Sequence, residues 1–271
     1  MKKELLATVG LLLASVATPA LAQEEAGPIT VSGSVAFVTD YRFRGVSQTN
    51  EKAAIQGGIT VSHETGLYAG VWGSNLAGWG QFGGSNMELD LIAGYKLPVG
   101  DAVTVDVGAT WYMYPGGSNE TDFIEPYVKV SGTFGPAALT AGVAYAPAQE
   151  ALGNWSAHPQ SRIGDKEDNL YLWGDVSGGI PSTPVTVKAH LGYSDGNPGL
   201  GPNGTSIAPT GTYFDWMLGA DLALGKVTLG VAYVDTSIKR AERLALPGFS
   251  NTLDGSSISS GRIVGSISAS F

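Results

Sequence analysis

The last twelve residues, Ser260–Phe271 (SGRIVGSISASF), alternate between two kinds of side chain. Small or apolar residues occupy one set of positions and polar residues occupy the other, with Val264 the exception in the polar set. Successive side chains of a β-strand point to opposite faces of the sheet. The tail therefore predicts a strand with one apolar face, formed by Gly261, Ile263, Gly265, Ile267 and Ala269, and one polar face.

The same alternation recurs in eleven further segments, which gives twelve predicted strands. The first is predicted to run from Thr30 to Phe43, and the clearest is Met87–Lys96. Short turns alternate with long loops rich in Gly, Asn, Ser and Pro, of which the longest are Ala146–Asn169, Ser194–Thr212 and Asp235–Ser257. Short turns at one rim, long loops at the other and an even strand number are typical of outer-membrane barrels.

The predicted fold is therefore all-β, a transmembrane antiparallel up-and-down β-barrel of twelve strands that forms a single domain over residues 30–271. The predicted strands have about the 9–11 residues that cross a bilayer at a tilt. A sheet in lipid must close, because no backbone group can stay unpaired there. A soluble β-sandwich would not need loops sorted by length between two ends. Ten or fourteen strands would follow if a weak segment were misassigned.

The N-terminus has the pattern of an export signal over residues 1–22. Lys2 and Lys3 precede an apolar run, and Ala20-Leu21-Ala22 supplies a small-x-small cleavage pattern, so cleavage is expected between Ala22 and Gln23. The rival interpretation, a transmembrane anchor, requires roughly 20 apolar residues, and this run is shorter. Residues 23–29 are expected to form a periplasmic segment before the barrel, and the protein is expected in the bacterial outer membrane.

Composition excludes several classes of function. The formal net charge is −9 at pH 7 and no cluster of Lys and Arg suited to phosphates is evident, so nucleic acid is not an expected partner. The chain has no cysteine, which excludes disulfides, thiol chemistry and cysteine-based metal sites. We expect no cofactor and no metal.

Aromatic residues on the apolar faces concentrate near the ends of the predicted strands. Aromatic side chains favour the two membrane–water interfaces of a barrel, so two girdles are predicted. The long-loop girdle is Tyr41, Phe43, Trp111, Tyr145, Tyr193, Phe214, Trp216 and Tyr233, and the short-turn girdle is Tyr95, Phe134 and Phe271. Phe271, as the final residue of the last strand, is also the expected C-terminal signal for the outer-membrane barrel assembly machinery.

The block Tyr41–Asn50 (YRFRGVSQTN) resembles a proteobacterial family of porin-like proteins called the TorF type. The resemblance is specific over roughly the first hundred residues, and later only strand spacing and Phe271 continue it. It implies an outer-membrane channel and supplies no catalytic residues. Further matching stretches are Ala54–Ile59, His63–Asn75, Glu88–Asp90 and Gly94-Tyr95.

Charged residues on the polar faces are the candidate pore lining, because a charged side chain is costly on the lipid face. They could select solutes by charge, or they could pair with one another and fill a narrow lumen. Both interpretations stay open, since twelve tilted strands give a backbone diameter of only about 24 Å. The acids are Asp40, Glu88, Asp90, Asp106, Glu125, Asp175, Asp215 and Asp221, and the bases are Arg42, Arg44, Lys129, Lys188 and Arg262.

Three functions are compatible with such a barrel. The first is a channel for passive diffusion of ions or small solutes, mildly cation-selective because its interior has more acids than bases. The second is a structural or adhesive barrel that uses its long loops. The third is an enzyme with His190 as a base, which we do not expect, since the sequence contains no recognisable catalytic motif. The outer-membrane lipid is an expected partner. The sequence leaves the oligomeric state open.

Overall fold

In the computed structural model, which describes residues 27–118, 120–154, 165–201, 206–246 and 248–271, the chain forms a closed barrel of twelve antiparallel strands. The predicted signal peptide and its cleavage point between Ala22 and Gln23 lie outside these residues. Each strand pairs with the next along the chain, and the last strand pairs with the first, so the predicted fold class and strand number are confirmed. The strands are β1 Ile29–Val38, β2 Ala54–His63, β3 Leu67–Asn75, β4 Met87–Val99, β5 Val103–Met113, β6 Phe123–Phe134, β7 Ala137–Asn154, β8 Asp165–Gly179, β9 Val185–Gly196, β10 Tyr213–Leu224, β11 Val227–Thr236 and β12 Arg262–Ser270.

The outer surface of the barrel is apolar. Outward positions include Ile55 and Leu218, each 67% exposed. Trp111, Tyr145, Phe214 and Tyr233 are also exposed, near the long-loop ends of their strands. A closed sheet with an apolar exterior and aromatic residues near its rims is the architecture of a bacterial outer-membrane barrel. The protein is a barrel of that membrane, with its long loops on the extracellular side.

The last residue takes part in closing the barrel. The Phe271 backbone N–H donates to the Gly33 carbonyl at 3.0 Å, and the Gly33 N–H donates to the Phe271 carbonyl at 2.8 Å. The Phe271 ring also lies over Gly33, where a side chain on residue 33 would collide with it. The seam between β1 and β12 therefore extends to the final residue of the chain. The role of Phe271 as an assembly signal stays a prediction.

The first strand is shorter than predicted. It ends at Val38 and not at Phe43, and the chain then turns into the barrel. Tyr41 is 4% exposed and its hydroxyl donates to Glu88 at 2.9 Å, so Tyr41 does not belong to the outer girdle. Phe43 packs edge-on against Tyr112, whose position on β5 also faces inward. The girdle prediction is wrong for these two residues, because polar and aromatic partners inside the barrel hold them.

Two strands are longer than predicted. β7 and β8 continue into the predicted loop Ala146–Asn169, where Glu167 pairs with Gln149 and Asp165 pairs with Asn154. Register shifts interrupt this extension. The helical elements are short: single 3₁₀ turns at Gly78–Gly80 and Phe82–Gly84, and an α-helix at Arg240–Leu244. Among the described residues, no helix has the length and apolar character needed to cross a membrane.

The extracellular loops pack together over the barrel mouth. A buried apolar cluster joins Trp79 of one loop to Leu200, Ile238 and Phe249 of others, and the Trp79 and Phe249 ring centroids are 4.8 Å apart. A second cluster includes Phe82, Tyr114, Leu152 and Ile207. We call these packed loops the loop cap. Burial of apolar side chains in these clusters, which also include Tyr41 and Val46 of residues 39–53, packs the loops against the chain inside the barrel.

Candidate functional site: the barrel interior

The inner wall has a charged side formed by strands β4 to β10. Because side chains alternate along each strand, the residues between the lipid-facing positions point inward. Most of the predicted charged residues on these strands are buried: Asp90 is fully buried, and Glu88, Asp106, Glu125 and Asp215 are at most 3% exposed. The wall from β11 through β12 to β1 instead presents small residues such as Ala232, Ser266 and Ser34.

Residues 39–53, between β1 and β2, fold back into the barrel, and we call this segment the plug. Its core is a two-stranded hairpin in which Arg42 pairs with Ser47 and Phe43 pairs with Val46. The turn residues Arg44 and Gly45 have φ of 47° and 80°. Two consecutive positive φ values are the geometry of a type I′ turn, the tightest common connection between antiparallel strands. The hairpin tip therefore presents the Arg44 side chain.

Arg42 holds the plug together from within. Its Nε donates to Asp40 at 2.8 Å, and one Nη donates to the Gly45 carbonyl at 3.0 Å and the Ser260 carbonyl at 2.9 Å. Asp40 also accepts a hydrogen bond from the Ser47 hydroxyl at 2.5 Å. Arg42 and Asp40 are 1% exposed, so this is a buried ion pair with most of its donors occupied. These contacts fix the hairpin shape and tie it to the start of β12.

Arg44 ties the tip of the plug to the opposite wall. One Nη donates to the Asn169 side-chain oxygen and the other to Glu125, each at 2.6 Å. The guanidinium carbon lies 4.1 Å from the centre of the Tyr171 ring, a cation–π contact. Short charge-assisted hydrogen bonds of this kind are stronger than neutral ones. Arg44 therefore bridges β6 and β8 from within the lumen.

Acidic side chains surround the base of the plug on the β4 side. Glu88 accepts the Tyr41 hydroxyl, but neither carboxylate oxygen of Asp90 has a hydrogen-bond partner among the described residues. Asp90 pairs across the sheet with Trp72 and Tyr112, whose side chains are aromatic. Buried polar groups are nearly always hydrogen-bonded, so an unpartnered carboxylate here is unfavourable for stability.

The remaining charges form pairs between neighbouring strands. Lys188 Nζ binds both oxygens of Asp221 at 2.8 Å, and Lys129 lies 3.3 Å from Asp106. Arg262, at the rim, binds Glu51 of the plug at 3.0 Å. Each of the five predicted bases therefore pairs with an acid.

His190 lies between two carboxylates inside the barrel. Its Nδ1 is 2.7 Å from Asp175 and its Nε2 is 3.2 Å from Asp215, while the Tyr171 hydroxyl lies within hydrogen-bond distance of His190 Nε2 and Asp215. The aromatic ring of Tyr171 also carries the Arg44 contact, so this network adjoins the plug. Among the described residues, no group of three or more His, Asp or Glu side chains is arranged to hold a metal ion.

Two small cavities lie inside the barrel, among the residues that the structure describes. A cavity of about 10 Å³ lies between the plug and the loop cap, lined by residues that include Phe43, Trp79 and Tyr114. A second of about 10 Å³ lies beside Lys188, against Val264 and Ser266. Each is close to the smallest volume that holds one water molecule. In the described part of the chain, the plug and the loop cap lie across the lumen, and these two small cavities lie beside the plug and beside Lys188.

A family model described as a bacterial protein of unknown function, Gcw_chp, matches residues 22–258. The chain belongs to the Gcw_chp family. No curated protein matches its sequence. The plug and the charged wall of this Gcw_chp protein both lie within the matched residues.

The solved structures similar to this Gcw_chp protein include outer-membrane proteins at low sequence identity. One comes from a study of the in-meso crystallization of membrane proteins, with 9% identity and a TM-score of 0.49, covering 89% of this chain and 83% of that one. An anion-selective porin from Comamonas acidovorans has 12% identity and a TM-score of 0.38, covering 90% and 99%. The outer-membrane channel DcaP of Acinetobacter baumannii has 12% identity and a TM-score of 0.39, covering 90% and 97%.

The predicted site residues of this Gcw_chp protein fall into two groups. Asp40, Arg42 and Arg44 belong to the plug and not to the barrel wall, which corrects the first-strand prediction. The others lie on wall strands, and their role as the lining of a conducting pore stays a prediction. The predicted pore lining did not include Asn169, the amide partner of Arg44, or Lys96, whose ammonium lies 5.0 Å from the Tyr68 ring centre. Lys96 directly follows the lipid-facing Tyr95 on β4, so the alternation of the strand already indicates that Lys96 faces inward.

Proposed function

We propose that this protein is a porin-like channel of the TorF type for ions and small solutes, observed with its passage closed by the plug. The observation that supports this most is how the plug is held: its tip is attached to the wall by the polar contacts of Arg44. Such contacts can be exchanged for water when the hairpin tip moves, whereas Tyr41 and Val46 of the plug would also have to leave the buried apolar clusters.

Backbone strain in the plug also supports a movable element. Arg44, Asn50 and Glu51 have φ between 47° and 58°, and they are three of the five non-glycine residues with positive φ in the described part of the chain. A side chain makes this conformation unfavourable by about 1 kcal/mol or more. Strain in the closed state brings an open state closer in free energy.

The charge balance inside the barrel supports a preference for cations. The predicted lining has eight acids and five bases, to which the structure adds the inward base Lys96 and the plug acid Glu51, and Asp90 has no partner among the described residues. An excess of acidic groups along a passage attracts cations and repels anions. We therefore propose mild cation selectivity once the plug has moved.

Conductance of single molecules tests the proposal. The mature chain, refolded and inserted in a planar bilayer under a salt gradient, is expected to be closed most of the time and to open in discrete steps. The reversal potential of the open steps is expected to have the sign of a cation-selective pore. Folded protein that never opens at any voltage, together with plug variants that also stay silent, would contradict a channel function.

A contact at the base of the plug offers a variant that changes no charge. A methyl group on Gly80 would collide with the backbone of Gln48, the residue that follows the plug hairpin. Overpacking of this kind costs about 1–3 kcal/mol. We expect Gly80→Ala to raise the open probability roughly tenfold or more in the bilayer experiment. Gly179→Ala is the matched control, since Gly179 has open space around it. Equal open probabilities for Gly80→Ala and Gly179→Ala would show that the plug does not keep the passage closed.

The loop cap favours a second candidate, a structural or adhesive barrel. Its buried apolar clusters give the extracellular loops a fixed surface that a partner could bind. This function requires no passage. It therefore predicts that the wild type, Gly80→Ala and every other plug variant conduct no current in the bilayer experiment.

A further inference from the structure

We propose that Lys239, Arg240 and Arg243, at the extracellular rim above β11, bind the phosphate groups of a lipid in the outer leaflet. These three cations occur within five residues of a chain with only 15 Lys and Arg and a net charge of −9. The proposal rests on the location of the barrel in the outer membrane and does not depend on conduction.

The height of the cluster is set by the hydrogen bonds at the end of β11. The Ser237 N–H donates to the Phe214 carbonyl at 2.8 Å, and the Phe214 N–H donates to the Ser237 hydroxyl at 2.8 Å. Phe214 points outward, is 46% exposed and packs against Tyr193 at 5.0 Å, so it belongs to the extracellular girdle. Lys239 follows Ser237 by two residues, a rise of roughly 7 Å. Aromatic girdles lie at the interface, so Lys239 lies at the level of the headgroups.

The cluster faces away from the barrel axis. Tyr233 is outward and Ile238 is buried in the loop cap, so the alternation places Lys239 on the outward side, and its backbone is extended. In the short helix that follows, Arg240 and Leu244 are four residues apart and share a face. Lys239 and Arg240 are exposed, and Leu244 is 75% exposed.

The three cations are available for a ligand. None of them forms an ion pair with another described residue; Lys239 and Arg240 are exposed and Arg243 is half-buried, with its Nε inside. The nearby acids are engaged: Glu242 accepts the Lys239 backbone N–H at 2.7 Å, and Asp235 accepts the Tyr233 hydroxyl at 2.8 Å. The segment 239–243 thus carries three cations and one carboxylate, a net charge of +2 without an ion pair among the described residues.

An amphiphilic ligand fits this surface better than a free anion. Phosphate would pair with the guanidinium and ammonium groups. The exposed Leu244 beside Arg240 offers contact to the apolar part of a lipid, which inorganic phosphate lacks. A phosphorylated glycolipid held by such a site would lie against the outward side of β10 and β11.

Binding of diphosphoryl lipid A by the detergent-solubilised mature barrel tests the proposal. Native mass spectrometry would count lipids retained by the wild type and by Lys239→Gln/Arg240→Gln/Arg243→Gln. We expect the triple variant to bind at least about tenfold more weakly, because each cation near an anionic lipid contributes to affinity. The control is Lys52→Gln/Lys226→Gln, which removes two exposed cations elsewhere and is expected to bind as the wild type does.

Two further probes distinguish the ligand chemistry. Dephosphorylated lipid A is expected to bind weakly to every variant, and millimolar inorganic phosphate is expected to leave the lipid bound. Equal binding of lipid A by the triple variant and the wild type would overturn the proposal. So would equal binding of the dephosphorylated lipid, or complete displacement by inorganic phosphate. Circular dichroism of each variant establishes that the barrel is folded before binding is compared.

Discussion

Arg44→Ala is expected to raise the open fraction of the proposed channel about a hundredfold in single-channel recordings. The substitution removes the 2.6 Å hydrogen bonds to Glu125 and Asn169 and the contact with the Tyr171 ring. Breaking a buried ion pair by removing one partner costs about 3–5 kcal/mol. Only the closed state loses this energy, since a displaced plug would expose Arg44 to water. A change of about 3 kcal/mol corresponds to a ratio of the order of a hundred.

Two variants establish what the change in Arg44 means. Arg44→Lys keeps the charge but lacks the planar fork that serves two acceptors at once, so an intermediate open fraction is expected. Arg262→Ala removes a partly exposed pair with Glu51 at the rim, and it is expected to have a small effect. A folded Arg44→Ala barrel that stays as closed as the wild type would show that the plug is fixed by its other contacts.

Asp90→Leu is expected to raise the free energy of unfolding of the barrel by about 1–4 kcal/mol. Most substitutions of buried residues lower it. Asp90 is fully buried and its carboxylate has no hydrogen-bond partner in the described structure. Replacement of a buried charged group by an apolar one of similar size is often stabilising, and the cross-strand neighbours Trp72 and Tyr112 offer apolar contact. The measurement is the urea midpoint of unfolding in lipid vesicles.

Asp106→Leu is the matched control on the neighbouring strand. Asp106 accepts the Tyr68 hydroxyl at 2.7 Å and lies 3.3 Å from the Lys129 ammonium, so its loss leaves a buried cation unpaired. This variant is expected to be destabilised by about 3–5 kcal/mol. If Asp90→Leu were destabilised as strongly, the Asp90 carboxylate of the membrane-inserted protein would form stabilising contacts that the described structure does not include. A stabilised Asp90→Leu would indicate that the acid is retained for a reason other than folding.

The barrel was predictable because its governing constraint is local. Lipid outside and polar groups inside impose a period of two on every strand, and that period is visible in a segment as short as Arg262–Ser270. The end of the first strand was not predictable on the same basis. Alternation continues through Tyr41 and Phe43, and only their contacts with Glu88 and Tyr112, distant in sequence, show that the chain has left the wall.

The interior was predictable in part for the same reason. Charged residues at inward positions such as Asp215 and Lys188 follow from the strand pattern. Their partners do not, because pairs such as Arg44 with Asn169 join residues 125 positions apart. The amide of Asn169 carries no charge and lies within the predicted loop Ala146–Asn169. A pattern of polarity along one strand contains no information about which residue faces it across the lumen.

The seam between β1 and β12 determines the order in which this molecule can be assembled. Backbone hydrogen bonds join Phe271 to Gly33, and the Arg42 side chain of the plug donates to the Ser260 carbonyl just before β12. Both the wall and the plug therefore depend on contacts between the two ends of the chain. Contacts so distant in sequence form late and slowly. The plug is synthesised early but gains its link to Ser260 only when the final strand arrives. Ring closure and enclosure of the plug are therefore expected to be a single kinetic event.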